Sequence, residues 1–280
     1  MEFEKWQALG NDYAIVEERA LPFELTPARI RAICARHTGV GSDGVLVLSR
    51  PRERRFVAEL RIYNADGSEA ELSGNGVREA VMYLRLRGWT DRDVFSIRTA
   101  AGEVRPRITG DATCTVDMGH ARVHSADFPS GPEDGQGVLS AAGREFRFRH
   151  VKVGNPQCAI EVPDGLWDLD LGVYGPPIER HQLFPNRINV SFWRRDGDRE
   201  VTARIFERGV GETMSSGTGA AGAAVAAVLG GLRSPVTVHL EGGDLEVAVD
   251  EDLRVAVSGP AVPVYRGTLS DEFLEELLVR

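Results

Sequence analysis

Two short turns carry residue types that could do chemistry, Ser73-Gly74-Asn75-Gly76 and Ser216-Gly217-Thr218-Gly219, each delivering a hydroxyl and small residues to the start of a helical segment. A helix start leaves backbone N–H groups without intrahelical partners, and the helix dipole adds partial positive charge there. Such a turn is therefore a ready seat for a carboxylate or phosphate. Gly-rich strand-to-helix turns also serve only to change chain direction, so either turn alone is a weak signal. No lysine follows the last glycine, as a P-loop requires, and neither turn has the GxGxxG spacing of a dinucleotide fold. Nucleotide binding is not expected.

The elements that must position these turns can be read around them. Each turn follows a strand-like run with alternating apolar residues, Glu59–Tyr63 and Val201–Phe206, and each leads into a helical segment, Val77–Arg87 and Ala220–Leu229. Short β-like runs, Val94–Thr99 and Val236–Leu240, come next. The two serines stand 143 positions apart in a chain of 280 residues, which reads as an internal duplication of one unit. Two similar domains would then present their turns to each other across a cleft. Residues 101–163 read as short strands broken by Gly and Pro, with Gly131–Gly137 as an exposed loop. Thr26 followed by Pro27 marks a helix start, with Ile30, Ile33 and Cys34 on one face and Gly39 as the expected end. The domain boundary is expected near residue 118.

Composition bounds the rest. The length exceeds the usual 100–200 residues of one domain, so two domains is the prior, and 42% hydrophobic with 27% charged residues is ordinary globular usage. A net charge of -9, with no basic cluster, argues against a nucleic-acid partner. Of the 33 basic residues only Lys5 and Lys152 are lysines, an imbalance that reflects genome composition more than function. Three scattered cysteines, Cys34, Cys114 and Cys158, suggest neither a disulfide framework nor a zinc knuckle, and they read as core residues. The six histidines show no metal-ligand spacing, and His37 reads as structural near Gly39. The amino terminus has no apolar leader and the longest apolar stretch, Ala220–Leu229, is half a membrane span, so a cytoplasmic protein without a membrane partner is expected.

Taken together the motifs are far more specific. Leu9-Gly10-Asn11-Asp12, Arg36 through Gly44, Asn64 through Ser68, Gly74–Gly76, Gly154-Asn155-Pro156, Asn189, Glu207 through Thr213 and Gly217–Gly219 run in one order along essentially the whole chain. In these the chain resembles the diaminopimelate epimerase family. The resemblance implies an α+β fold of two pseudo-symmetric domains, each a mixed β-sheet wrapped around a central helix, spanning 1–118 plus 263–280 and 119–262. It implies a cofactor-free inversion of an amino acid at its α-carbon, L,L-diaminopimelate to the meso form, in a small-molecule enzyme with a homodimer among its expected assemblies. It also implies that Asn11, Asn64, Gly74, Asn75, Asn155, Asn189, Gly217 and Thr218 hold the substrate and that Arg208 pairs its carboxylate. For Asn11, Asn64 and Asn155 a turn role is the alternative.

Inverting a carbon acid needs a base on one face and an acid on the other. In the family both are cysteines at the head of the two Gly-Xaa-Gly helices, where amides and dipole favour the thiolate. Here both positions are serine, Ser73 and Ser216. A thiol titrates near 8.5 and an alcohol nearer water at about 15.7, a gap of about 7 units or roughly 10 kcal/mol. The histidine common in the family after Gly-Asn-Pro is Gln157 here. A designed thiol trap would leave that histidine in place, so three coordinated changes point to a natural lineage that left thiol chemistry.

Carboxylates remain for proton transfer, foremost Glu207, with Glu212, Glu71 and Asp66 beside the turns and Glu71 and Glu79 read as solvated charge. Ion pairing of Glu207 with Arg208 or a substrate ammonium is the alternative for that residue. Three functions stay open at this point: the epimerase; another isomerase or lyase on the same fold using a carboxylate, as the phenazine-type isomerases do; and a non-catalytic amino-acid-binding relative.

Overall fold

A computed structural model describes residues 1–280 and divides into two compact units, Met1–Val116 with Gly259–Arg280, and Asp117–Ser258. The first stretch forms β1 (Glu2–Ala8), β2 (Asn11–Glu17), α1 (Pro27–Cys34), β3 (Gly44–Ser49), β4 (Phe56–Asn64), β5 (Glu69–Ala70), α2 (Gly74–Leu86), β6 (Ser96–Thr99), β7 (Gly102–Val104) and β8 (Arg107–Ile108). After β9 (Thr113–His120) come β10 (Gln136–Ala141), β11 (Arg144–Val153), β12 (Asn155–Glu161), α3 (Leu171–Glu179), β13 (Asn189–Arg195), β14 (Glu200–Glu207) and β15 (Gly211–Thr213). The chain ends with α4 (Gly217–Leu229), β16 (Val236–Leu240), β17 (Gly243–Val249), β18 (Arg254–Pro260), β19 (Val262–Thr268) and α5 (Asp271–Leu278).

In the first unit the strands run β19-β1-β2-β3-β4-β6-β7, with β5 paired to β4. The β2–β3 and β4–β6 pairs are parallel and the others antiparallel, so the sheet is mixed. Helix α2 packs against β1, β2, β3 and β19, and eleven of its thirteen residues are buried. A helix enclosed this way has no solvent face, which decides the fate of every charge on it. Strand β3, Gly-Val-Leu-Val-Leu-Ser, reads as a continuous apolar run because both its faces are covered. Val45 and Val47 join Ile30, Ile33 and, from α5, Leu277 in one cluster.

The second unit orders its strands β10-β11-β12-β13-β14-β16-β17-β18, with β15 on β14 and parallel pairs at β12–β13 and β14–β16. Helix α4, Gly-Thr-Gly-Ala-Ala-Gly-Ala-Ala-Val-Ala-Ala-Val-Leu, lies against six of these strands, and its small side chains let the backbones approach. The sheet's other face packs six phenylalanines, Phe128, Phe146, Phe148, Phe184, Phe192 and Phe206, with Leu171 and Ile178 of α3. Two mixed sheets, each around one helix, are the α+β architecture the resemblance implies.

The expected helix end at Gly39 is corrected. Helix α1 stops at Cys34, and the amides of Val40 and Ser42 bond the carbonyls of Ile33 and Cys34 at 2.8 and 3.2 Å, so residues 35–42 wrap the helix end instead of extending it. Its start is as read: Thr26 Oγ1 accepts from Arg29 N, with Pro27 in the first helical position. All three cysteines are buried and unpaired with one another.

Candidate active site

Ser73 is the N-cap of α2 and Ser216 the N-cap of α4, with nearly the same backbone, φ −134°, ψ 121° and φ −141°, ψ 119°. Each Oγ accepts from the amide three residues on, Gly76 N at 3.1 Å and Gly219 N at 3.2 Å. The hydroxyls are therefore fixed at the positive ends of two buried helices, where a negative charge on oxygen or on a bound carboxylate is favoured.

In the first unit three motifs are tied together at this helix start. Arg78 is fully buried and donates to Asn75 Oδ1 at 2.8 Å; Asn75 Nδ2 donates to Asn11 Oδ1 at 3.1 Å; and Asn11 Nδ2 donates to Asp43 Oδ2 at 2.8 Å. Asp43 also accepts from Asp12 N at 3.0 Å and from Arg36 at 2.6 Å, while Lys5 pairs with Asp12 at 2.6 Å. The Leu-Gly-Asn-Asp segment and the Arg36–Gly44 segment are thus two sides of one charge-assisted network. Tyr13, two residues past Asn11, donates its phenol to Ser73 Oγ at 3.3 Å. Asn64 closes its own turn, its Nδ2 on Ser68 Oγ at 2.9 Å, and Asp66 Oδ1 accepts from Ser68 N and Oγ, which holds that carboxyl below the usual range.

The second unit repeats the arrangement with other groups. Gln157 is fully buried, donating to Thr218 Oγ1 at 3.2 Å, with Ser191 Oγ 3.2 Å from its Oε1. A Cβ on Gly222 would lie 2.7 Å from Gln157 Cγ, so this glycine makes room for the amide beneath α4. Asn189 Oδ1 accepts from Arg208 N at 2.7 Å and its Nδ2 donates to Pro156 O at 3.3 Å, joining the Gly-Asn-Pro, Asn189 and Glu-Arg-Gly segments. Glu207 Oε1 accepts from Thr213 Oγ1 at 2.9 Å. The Arg208 side chain is exposed and donates to Asn186 O at 2.8 Å.

A sequence model of the family described as diaminopimelate epimerase matches residues 3–124 and 149–264. A diaminopimelate epimerase of Synechococcus sp. (strain JA-3-3Ab) is 40% identical, the alignment covering 97% of this chain and 99% of that protein. One of Desulfitobacterium hafniense is also 40% identical, covering 98% and 100%. The chain belongs to the diaminopimelate epimerase family. More distant solved structures share the fold: a hydroxyproline epimerase from Agrobacterium vitis, 17% identical with a TM-score of 0.68 over 95% of this chain and 91% of that one, and a phenazine biosynthesis protein of Bacillus anthracis, 17% identical with 0.66 over 96% and 99%.

Against that family background the carboxylates separate cleanly. Glu212 is held by Arg204 at 2.8 and 3.1 Å, and Glu71 is exposed. The expectation of Glu79 as solvated charge is overturned: it is fully buried on α2, and burial pushes its carboxyl well above the ordinary value despite Arg78 and the Tyr13 backbone. The reason is the enclosure of α2, which leaves no outward face. Asn155 opens β12 half-buried, after Gly154 in the left-handed region at φ 66°. The residues missed from sequence are Tyr13 and Arg78, whose side chains reach the Ser73 turn directly, and Asp43, which is joined to it through Asn11; only Arg78 shares the turn's element.

Proposed function

We propose that this chain epimerises diaminopimelate at one α-carbon, from the L,L to the meso form, with no cofactor. The observation that carries the reading is about 40% identity to diaminopimelate epimerases over nearly their entire length. One of the hydroxyls of Ser73 and Ser216 takes the α-proton and the other returns a proton to the opposite face, with Glu207 as the carboxylate at the second turn. The first amides of α2 and α4, at Gly74, Asn75, Gly217 and Thr218, are the donors for the substrate carboxylate, and their charge relieves the carbanion as it forms. Asn11, Asn64, Asn155, Asn189 and Arg208 orient the amino acid. Three cysteines, scattered, buried and unpaired with one another, support a cytoplasmic site of action.

Incubated in D2O with L,L- or meso-diaminopimelate, the protein is expected to wash deuterium into the α-position with inversion, followed by NMR. Exchange at a single stereochemistry would point to a one-base isomerase, and tight binding without exchange to a binding relative; either result removes the epimerase reading for this substrate.

The same reading includes a homodimer. Strand β19 ends the first sheet and leaves Val264 and Tyr265 exposed, an apolar edge that a second copy would cover. Light scattering is expected to give twice the 30.6 kDa of one chain, and replacing both residues with lysine to give one chain's mass.

A further inference from the structure

The two serine caps are alike in backbone and unlike in what stands behind them. Ser216 Oγ accepts from Gly219 N alone, whereas Ser73 Oγ accepts both from Gly76 N and from the phenol of Tyr13. With both lone pairs of Ser73 engaged by donors, its own hydroxyl proton is the one left to point elsewhere. Tyr13 is buried, 5% exposed, and its ring lies against Gly44, where a Cβ would come within 2.6 Å of Cε1. The ring is therefore held by the sheet, on a strand whose neighbours β1 and β3 fix its register.

We propose, resting on the epimerase reading, that Tyr13 holds the proton for Ser73, so that the pair works as one acid/base group with the proton affinity of a phenol in place of that of an alcohol. In the base direction the substrate Cα–H bond breaks and its electron pair stays on Cα. The proton goes to Ser73 Oγ as Ser73's own proton passes to the Tyr13 phenolate, giving a phenol. In the acid direction the phenol proton moves to Ser73 Oγ while the Ser73 proton goes to the carbanion. Nothing is oxidised or reduced, and the net change is one proton between Cα and Tyr13 Oη. The gain is chemical: at pH 7 about one free phenol in a thousand is ionised, against about one alcohol in 10⁸ to 10⁹. The charged group that touches Tyr13 is Glu79 on α2, whose carboxyl accepts from the Tyr13 backbone, with Arg78, Asp12 and Asp43 acting on that carboxyl; Lys5 and Asp12 occupy the alternate positions of β1 and β2, on the opposite face of the sheet.

The test compares wild type, Tyr13→Phe, Ser73→Cys and the double variant by α-proton exchange of diaminopimelate across pH 6 to 10. Wild type is expected to rise tenfold per pH unit until a phenol titrates. Tyr13→Phe is expected to lose about thirtyfold or more at pH 9 and to lose that rise. In the Ser73→Cys background, where a thiol supplies its own acidity, the loss is expected to be at least about tenfold smaller. Fluorotyrosine incorporation, which acidifies the phenol without removing it, should move the inflection to lower pH, and it serves if Tyr13→Phe fails to fold. An unchanged rate and profile in Tyr13→Phe, the same loss in both backgrounds, or an inflection that ignores fluorine each overturns the proposal while the epimerase reading stands. A wild type with no exchange overturns both.

Discussion

Cysteine at both Ser73 and Ser216 is expected to raise α-proton exchange by a hundredfold or more, about 2.7 kcal/mol off the barrier. At Ser216 the thiolate is some 7 units easier to form than the alkoxide, and at Ser73, where the Tyr13 phenol holds the proton, about 1.5 units easier than the phenolate; a weaker base takes a carbon proton less eagerly, and Brønsted behaviour returns roughly half of the advantage. Both positions already stand at helix N-termini with an amide aimed at the side chain, the environment that lowers a thiol pKa. Each single replacement should gain far less than the pair, because proton removal and proton return would still share one alcohol. The gain should stay incomplete until Gln157→His is added, since Gln157 carries no titrating group into the Thr218 contact. Stability should move the other way. Sulfur is a poor cap, and losing two caps costs about 1 kcal/mol each, visible as a lower Tm. If the double variant is no faster than wild type, the serines do not occupy acid/base positions.

What could be read from the residues was local grammar. Thr26-Pro27 and the two Ser-Gly-Xaa-Gly turns announce helix starts because capping is a contact over three residues, and all three caps form with a side-chain oxygen on the third amide. The end of α1 was misread because carbonyls of Ile33 and Cys34 are taken by amides that fold back from residues 40–42, a choice made by the following loop. Helix α3 escaped notice because Pro176 and Pro177 lie inside it, although Asp170 caps its start on Gly172 N at 2.9 Å.

The burial of Glu79 and the Tyr13–Ser73 contact are tertiary facts. One follows from a sheet closing around α2 and the other joins residues sixty positions apart, and neither leaves a period or a spacing in the sequence. The clustering of Asn11, Asp43 and Asn75 belongs to the same class, since they sit in separate motifs and the network between them forms only when β2, the loop before β3, and α2 meet.

Stability should respond to pH from opposite sides in the two units. In the first, the carboxyl of Glu79 is pushed well above its ordinary value, first by burial and further by Asp12 and Asp43. Below about 4.3, the unfolded pKa, both states hold the proton; as pH rises toward the folded pKa only the folded state keeps it, and the stability this provides is lost as pH passes through that value. Glu79→Gln, which keeps shape and a donor but no titration, is therefore expected to melt above wild type at pH 8, with the gap closing toward pH 4. In the second unit His150 is fully buried and lowered to about 4, chiefly by burial, with its Nε2 2.8 Å from Ser125 Oγ. Here the unfolded state binds the extra proton, so stability present above pH 6.5 drains away as pH falls toward 4, by up to about 3 kcal/mol. His150→Gln should flatten that acid limb and leave the alkaline one, and Glu79→Gln should do the reverse. Melting curves of the three proteins from pH 4 to 9 check this, and a wild-type alkaline limb that survives Glu79→Gln would show that another buried group sets it.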